Sequence, residues 1–162
     1  MSWSLRIGED GDFHVDAAHL GTVTAQNKLV QDFRCALLEQ MGTDNLHPDF
    51  GSLIDGGITP EGVASEGVIG ETDLRMVALT IESEVARIAR RMQQYQLARA
   101  KSDRLTYGRA TMVPQEVLLQ LNGVDLLQKE DQIYVTIRLT AANNTDFDIN
   151  LPINTSPSAA SS

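Results

Sequence analysis

The stretch QIYVTIRLTAANNTDFDINLPI, residues 132–153, contains two runs in which apolar and polar side chains alternate. Such alternation is typical of a strand with one buried face and one exposed face. The letters ANNT between the runs supply turn-forming residues, so the stretch predicts an antiparallel hairpin. The preceding segment EVLLQLNGVDLL, residues 116–127, predicts a third strand, with Asn122-Gly123 as a turn signal.

Two earlier segments repeat their apolar residues at helical spacing instead. In residues 24–41 the apolar side chains recur every three or four positions, and Gly42 stands where a glycine commonly stops a helix. A longer helix is predicted from Thr72, a candidate N-cap, to about residue 102. Such a helix is more often part of an intramolecular core than of a coiled coil, although its length leaves room for partner helices. Its apolar seam comprises Leu74, Ala78, Ile81, Val85, Ile88, Met92 and Tyr95.

These patterns predict an α+β fold, in which amphipathic helices pack on a small antiparallel sheet with a C-terminal β-hairpin. Residues 42–71 are rich in glycine and are predicted to form a long irregular connection. The predicted organisation is an N-terminal arm over residues 1–23, one α+β domain over residues 24–153, and a flexible polar tail over residues 154–162.

The composition limits the classes of partner. The formal net charge is −9, whereas binding to nucleic acid or to an anionic membrane needs clustered cations, so neither partner is expected. No apolar run approaches the ~20 residues of a membrane span, and no cleaved signal is apparent. The single cysteine, Cys35, rules out an intrachain disulfide and is most simply a small packing residue.

The charges are unevenly distributed along the chain. Residues 1–73 hold thirteen acids and three bases, whereas residues 87–109 hold seven bases and one acid, Asp103. Such segregation suggests that two parts of the fold, or two subunits, attract each other. A solvated helix face is an equally good interpretation.

The segment MGTDNLHPDFGSLID, residues 41–55, resembles a catalytic or metal site more than any other part of the chain does. A metal at His47 would need further ligands, but no H-x-x-x-H spacing is present. A serine hydrolase would need a nucleophile motif such as G-x-S-x-G, which is absent. We therefore expect no catalytic residue, no metal and no cofactor. A proline restricts the residue before it, and a glycine permits a tight turn. The segment thus predicts a structural corner formed by Gly42, Pro48, Phe50, Gly51 and Ser52.

This corner resembles a motif of the baseplate-wedge (lysozyme-like or sheath-initiator) family of contractile phage tails, whose relatives serve in type VI secretion and phage-like injection machines. The family has a helix, a glycine turn, a proline two residues before an aromatic-Gly-Ser, and then an apolar residue. The corresponding residues here are Gly42, Pro48, Phe50, Gly51, Ser52 and Leu53. A second family motif, Glu-Pro-Arg-apolar after the long helix, is matched less closely, since proline is absent and the acid is aspartate. Its nearest match is Asp103, Arg104 and Leu105, and the resemblance covers residues 20–153.

The resemblance implies a structural protein and not an enzyme. Such a protein would join wedge subunits to the tail tube and sheath, and would template the first sheath ring by β-strand augmentation. The implied partners are other baseplate wedge proteins, the tail sheath subunit, and tube or hub proteins. The implied location is the tail baseplate of the virion, assembled in the host cytoplasm. Two other classes stay open: a small peptidoglycan hydrolase and a free-standing protein-binding module.

The resemblance also implies two sets of partner-binding residues. The first is Asp103, Arg104 and Leu105, in which the guanidinium would be held by a carboxylate or by carbonyls of a partner. The second is the hairpin, whose edge is only partly protected from strand pairing by Pro152, Asp146 and Asp148. A strand from a sheath-type subunit is expected to complete this sheet, and the polar tail to lie along a neighbour. The hairpin residues assigned to the contact are Ile133, Val135, Ile137, Phe147, Ile149 and Leu151.

Overall fold

The computed structural model describes residues 3–7, 15–16, 19–20, 22–44, 47–68, 70–71, 73–129 and 132–154. Most of the predicted tail therefore lies outside the described residues, as does much of the N-terminal arm. The described part of the arm contributes β1 (Trp3–Leu5), β2 (Val15–Asp16), β3 (His19–Leu20) and most of β4 (Thr22–Thr24). These strands form two antiparallel pairs, β1 with β4 and β2 with β3.

The first predicted helix is present as α1 (Ala25–Leu38), but it ends earlier than residue 41. Glu39 already has an extended backbone, and Gln40–Met41 form a short strand, β5. Gly42 therefore does not stop the helix, and instead lies in the turn after β5 with a φ of +83°. The prediction is wrong over residues 39–41 because strand pairing replaces the last helical turn there.

The predicted irregular connection is also wrong, because residues 42–71 contain two strands. These are β6 (Ser52–Ile58), which pairs parallel with β5, and β7 (Ala64–Ser65), which pairs antiparallel with β6. The glycines of β6 interrupt the apolar alternation that would predict a strand. They lie where the backbone of a neighbouring segment approaches closely. A Cβ at Gly57 would lie 2.5 Å from the carbonyl oxygen of Met41, so only glycine fits there.

The second predicted helix is confirmed as α2 (Leu74–Tyr107), which is longer than expected. Asp73 is its N-cap and accepts the Arg75 amide at 2.9 Å, whereas Thr72 lies outside the described residues. The helix ends at Gly108, whose φ is +70°, a conformation that favours glycine.

The predicted apolar seam of α2 is correct in its middle and wrong at its ends. Ile81, Val85 and Ile88 are buried, but Leu74 is 49% exposed and Tyr95 is 64% exposed. A straight α-helix drifts away from a strict seven-residue repeat, so the buried stripe leaves the heptad positions after a few turns. The stripe begins instead at Val77 and reaches polar residues farther along.

The C-terminal sheet has the predicted antiparallel hairpin and the predicted third strand. Its strand order is β10-β9-β8, formed by β8 (Leu118–Lys129), β9 (Gln132–Ala141) and β10 (Asp146–Asn154). Asn122-Gly123 is not a turn, because β8 continues through it with a register shift, as a bulge does. A second register shift lies between Leu118 and Gln120.

The core lies between the inner face of this sheet and the two helices. Apart from the half-buried Phe147, the inner side chains of β9 and β10 are at most 5% exposed and pack in one cluster with α1 and α2. The helices contribute, among others, Leu29, Phe33, Leu37, Val77, Ile81 and Val85. The predicted α+β class, with helices on a small antiparallel sheet, is therefore confirmed.

Candidate functional site

The predicted corner lies directly against the C-terminal end of α1. The amide of Ser52 donates to the carbonyl oxygen of Glu39 at 2.7 Å, and its hydroxyl donates to that of Leu37 at 2.6 Å. Gly51 has a φ of +92°, and a Cβ there would lie 2.5 Å from the carbonyl oxygen of Glu39. The backbone contacts at Gly51 and Ser52 therefore leave no space for a larger residue at position 51.

The other corner residues are more exposed than an anchor of the core would be. Pro48 is exposed, and Phe50 is only half-buried, packing against the margin of the core. The His47 side chain is 71% exposed, with Nδ1 3.0 Å from an Asp44 carboxylate oxygen. An exposed pair of this kind stabilises a fold little.

Three residues on one face of α2 bind the main chain of the corner, and we call them the helix clamp: Glu84, Arg87 and Arg91. Glu84 is 6% exposed and accepts the amide of Leu53 at 2.8 Å. Arg87 donates to the Gly51 carbonyl oxygen and pairs with Glu84 at 2.9 Å. Arg91 donates to the Asp49 carbonyl oxygen at 2.6 Å and pairs with its carboxylate.

The helix clamp was missed in the sequence, although the uneven charge distribution was a signal for it. Part of the basic segment of α2 attracts the acidic first half of the same chain, so the charge segregation is partly intramolecular. The side-chain hydrogen bond from Arg91 holds the pKa of the Asp49 carboxyl below its usual value.

A cleft of about 500 Å³ opens beneath the corner, between α1 and α2. Its apolar lining comprises Ala36, Phe50, Ile88, Met92, Tyr95 and Met112. The charged groups around it are largely paired with one another, as in the Lys28–Asp32 and His47–Asp44 pairs. Burial raises the pKa of the Cys35 thiol in its wall, which disfavours the reactive thiolate. These properties suit an apolar side chain of a partner better than a charged substrate.

Within the described ranges, no group of three or more His, Cys, Asp or Glu side chains could hold a metal ion. None of the helices there combines the length and the apolar character needed to cross a bilayer. The expectation that the protein has no catalytic residue stays a prediction.

The element Asp103-Arg104-Leu105 lies inside the last turns of α2 and not after the helix, as the resemblance implied. Asp103 is 9% exposed and accepts both the amide and the hydroxyl of Thr111, which lowers the pKa of its carboxyl. Arg104 is exposed and Leu105 is 89% exposed. Successive helical residues point ~100° apart, so Asp103 holds the returning chain while its two neighbours face solvent.

The hairpin residues assigned to a partner mostly point into the core. Ile133, Val135, Ile137, Ile149 and Leu151 are at most 5% exposed, and only Phe147 is half-buried. The five buried side chains therefore cannot contact a partner in the folded chain, whereas the Phe147 ring is partly accessible. A partner strand would have to bind the main chain of β10 instead.

The direction of the β10 main-chain groups follows from one hydrogen bond at the hairpin turn. The amide of Ala141 donates to the carbonyl oxygen of Thr145 at 3.0 Å, and the register pairs Ile137 with Ile149. Because antiparallel pairs alternate, the odd-numbered residues of β10 bind β9, and the even-numbered residues point their N–H and C=O groups away from it. Amides are thus available outward at Asp146, Asp148, Asn150 and Asn154, but not at Pro152.

The opposite edge of the sheet is less accessible at the N-terminal end of β8. The side chain of Gln96 donates to the Glu116 carbonyl oxygen at 2.8 Å and accepts the Leu118 amide at 2.9 Å. Gln93 donates to the carbonyl oxygen of Leu119 at 2.6 Å. Two register shifts interrupt β8 before Gly123, and only residues 123–129 pair with β9 in an unbroken register. Among the described strands, β10 therefore provides the longer regular edge of this sheet, over nine residue pairs.

Comparison with known proteins does not assign a family, since no family model, curated protein or solved structure matches the chain. A functional interpretation therefore depends on the helix clamp, the cleft and the β10 edge, together with the resemblance of the corner.

Proposed function

We propose that the chain is a structural subunit of a contractile-tail baseplate, which joins wedge subunits to the tail tube and sheath. In this role β10 accepts a strand from the first sheath ring. The observation that carries the proposal is the β10 edge, which keeps an unbroken register with β9 over nine residue pairs and has outward main-chain groups. Unpaired edges of this kind bind extended segments by strand addition.

The C-terminal end of α2 supports a second contact, with a wedge subunit. Large apolar side chains are exposed there, with Leu97 at 60%, Leu105 at 89% and Tyr107 at 67%. Exposed cations, including Arg104, lie on the same turns of the helix. Aromatic residues and arginine are enriched at protein interfaces. The partners in this proposal are wedge, sheath, and tube or hub proteins, and the location is the tail baseplate of a virion.

The test of the strand contact is a proline at position 150. The Asn150 amide points away from β9, so Asn150→Pro removes an outward donor and leaves the hairpin ladder intact. Proline at Ile149 would instead break the hairpin itself, because that amide binds β9. Asn150→Ala is the matched control, since both variants lose the side-chain acceptor that Asn150 offers to Thr136 at 2.8 Å.

The measurement is electron microscopy of particles assembled with each variant in place of the wild-type chain. Asn150→Pro should give baseplates without sheaths, whereas Asn150→Ala should give sheathed tails, with equal thermal unfolding of the two purified variants. Sheathed tails with Asn150→Pro would reject the sheath-initiator role. Turnover of peptidoglycan by the wild-type chain would instead support the hydrolase alternative.

A free-standing protein-binding module is the second candidate function, and the cleft beneath the corner favours it. An apolar hollow of about 500 Å³ is large enough to receive side chains of a peptide. This candidate predicts that the chain binds a partner outside any particle, and that a phage lacking it still assembles complete tails.

A further inference from the structure

We infer that the β10 edge selects a basic partner strand, one that alternates Lys or Arg with apolar residues. The same edge disfavours pairing with a second copy of this chain. This inference rests on the proposed function, because it names the chemistry of the strand that β10 would accept there.

The outward-pointing residues of β10 determine which face an added strand presents to them. The even-numbered residues from 146 to 152, which direct their main-chain groups away from β9, also direct their side chains to the exposed face of the sheet, since the odd-numbered side chains point toward the core. A strand that hydrogen-bonds to Asp146 and Asp148 therefore places its own opposing residues on that exposed face. Opposing side chains in such pairs have Cβ atoms about 5 Å apart.

Two of these positions on β10 carry aspartates, Asp146 and Asp148. The register sets Asp148 opposite Arg138 of β9, yet the Arg138 guanidinium binds Asp125 on the β8 side. The Asp146 carboxylate accepts the hydroxyl of Thr140, a neutral donor. In the ion pairs of the described residues, neither aspartate at the edge has a cation as its partner. Cations on an added strand would supply two cross-strand pairs of opposite charge.

The inner face of β10 is incompletely covered at one end. Phe147 is only half-buried although Ile149 and Leu151 on the same face are 2% exposed. The accessible apolar surface on the inner face is therefore at the start of β10, where Asp146 and Asp148 lie on the opposite face. An apolar residue of the added strand would cover the Phe147 ring, while its neighbours along the strand face Asp146 and Asp148. The matching sequence alternates basic and apolar residues.

The outward donors also limit the length of the strand. Asp146, Asp148 and Asn150 have outward amides, but Pro152 has none. Three alternate donors span roughly five residues, so the partner strand is short and centred near Asp148. A second copy of β10 would bring its own Asp146 and Asp148 to the same face, where like charges repel, so the edge resists self-association.

The test uses labelled, blocked heptapeptides in which valine alternates with lysine, with glutamine or with glutamate, and fluorescence anisotropy measures their affinity for the full chain. The lysine peptide should bind about fivefold more tightly than the glutamine peptide, from two exposed cross-strand pairs. The glutamate peptide should bind most weakly. The preference should decrease at high salt, because exposed charges are screened.

The decisive variant is the double substitution Asp146→Asn with Asp148→Asn, in which the side chain at 146 still offers an acceptor to Thr140. It should bind the lysine and glutamine peptides equally. The matched control, Glu61→Gln with Glu66→Gln, neutralises two exposed acids near β7 and should keep the fivefold preference. Equal binding of both peptides by the wild-type chain would overturn the inference, as would loss of the preference in the control, which would indicate attraction by net charge alone.

Failure of this inference differs from failure of the proposed function. If Asn150→Pro blocks sheath assembly while the peptides show no charge preference or do not bind, the inference fails and the sheath-initiator proposal stands. If Asn150→Pro leaves sheaths intact, the proposal fails whichever peptide binds more tightly.

Discussion

The guanidinium of Arg91 binds both the main chain and the side chain of Asp49. One guanidinium nitrogen donates to the carbonyl oxygen of Asp49 at 2.6 Å, and another pairs with the carboxylate of the same residue, across 42 positions of sequence. A guanidinium that binds a carbonyl oxygen as well as a carboxylate constrains the path of the chain and not only its charge. The corner and α2 are thereby joined.

The pKa of Asp49 should rise toward its ordinary value when Arg91 is replaced by Gln. The pKa is lowered in the folded chain, so this contribution to stability is present above the unfolded pKa near 4 and is lost as the pH falls through the folded pKa. Because both side chains are partly exposed, the contribution should be under ~1 kcal/mol. An NMR titration of the Asp49 carboxyl in both proteins measures the shift, and an unchanged pKa would contradict this role for Arg91.

Replacing Glu84 by Ala should lower the free energy of unfolding by ~2–4 kcal/mol. The substitution leaves the amide of Leu53 without its acceptor and Arg87 without its carboxylate partner, and unpaired groups in a buried site are costly. Glu82→Ala is the control, since Glu82 is an exposed acid on the same helix. Urea denaturation measures the free energy of unfolding of both variants, and the loss should be clearly larger for Glu84→Ala. Equal losses would mean that the helix clamp contributes nothing to stability.

Gly51→Ala should destabilise the fold much more than Gly62→Ala. Both glycines have a positive φ, +92° and +82°, but a Cβ at 51 would meet backbone at 2.5 Å whereas a Cβ at 62 meets nothing within 4 Å. The conformational cost alone is ~1–2 kcal/mol for an L-residue, and the clash should raise the cost at 51 to at least ~3 kcal/mol. Thermal unfolding of both variants tests this difference, which should vanish if the corner can shift to accept a methyl group.

Phe50→Ala should cost ~2 kcal/mol, about half the cost of removing a fully buried Phe, because the ring is half-buried. His47→Ala should change stability by less than ~0.5 kcal/mol, since its pair with Asp44 is exposed. Chemical denaturation provides both values. A larger effect at His47 than at Phe50 would reverse this interpretation of the corner.

Arg104→Ala should impair wedge assembly more than Arg90→Ala while leaving thermal unfolding unchanged. Both residues are exposed on α2, but Arg104 lies beside the exposed Leu105 at the proposed wedge contact. Arg87 is unsuitable as the control because it binds the Gly51 carbonyl oxygen. Co-purification of each variant with its wedge partners provides the readout, and equal, mild effects would show that Arg104 is only part of a solvated helix end.

The sequence alone was sufficient for the features that depend on local periodicity. A 3.6-residue repeat predicted α1 and α2, and a two-residue repeat predicted β9 and β10, because each pattern reflects one face of one element against a common core. Residues 42–71 were predicted incorrectly because β6 is rich in glycine. It becomes a strand only through its pairing with β5 and β7, and glycine has no side chain to carry a periodic signal.

The candidate sites depended on tertiary structure. Glu84, Arg87 and Arg91 bind main-chain groups that lie 31 to 42 residues away, and no local pattern encodes a contact at that distance. Alternation in the sequence showed which β10 side chains share a face, but not which edge of the strand is open. That was decided by the strand order and by the hydrogen bond between Ala141 and Thr145, because the direction of a main-chain N–H depends on the pairing partner and not on the residue that carries it.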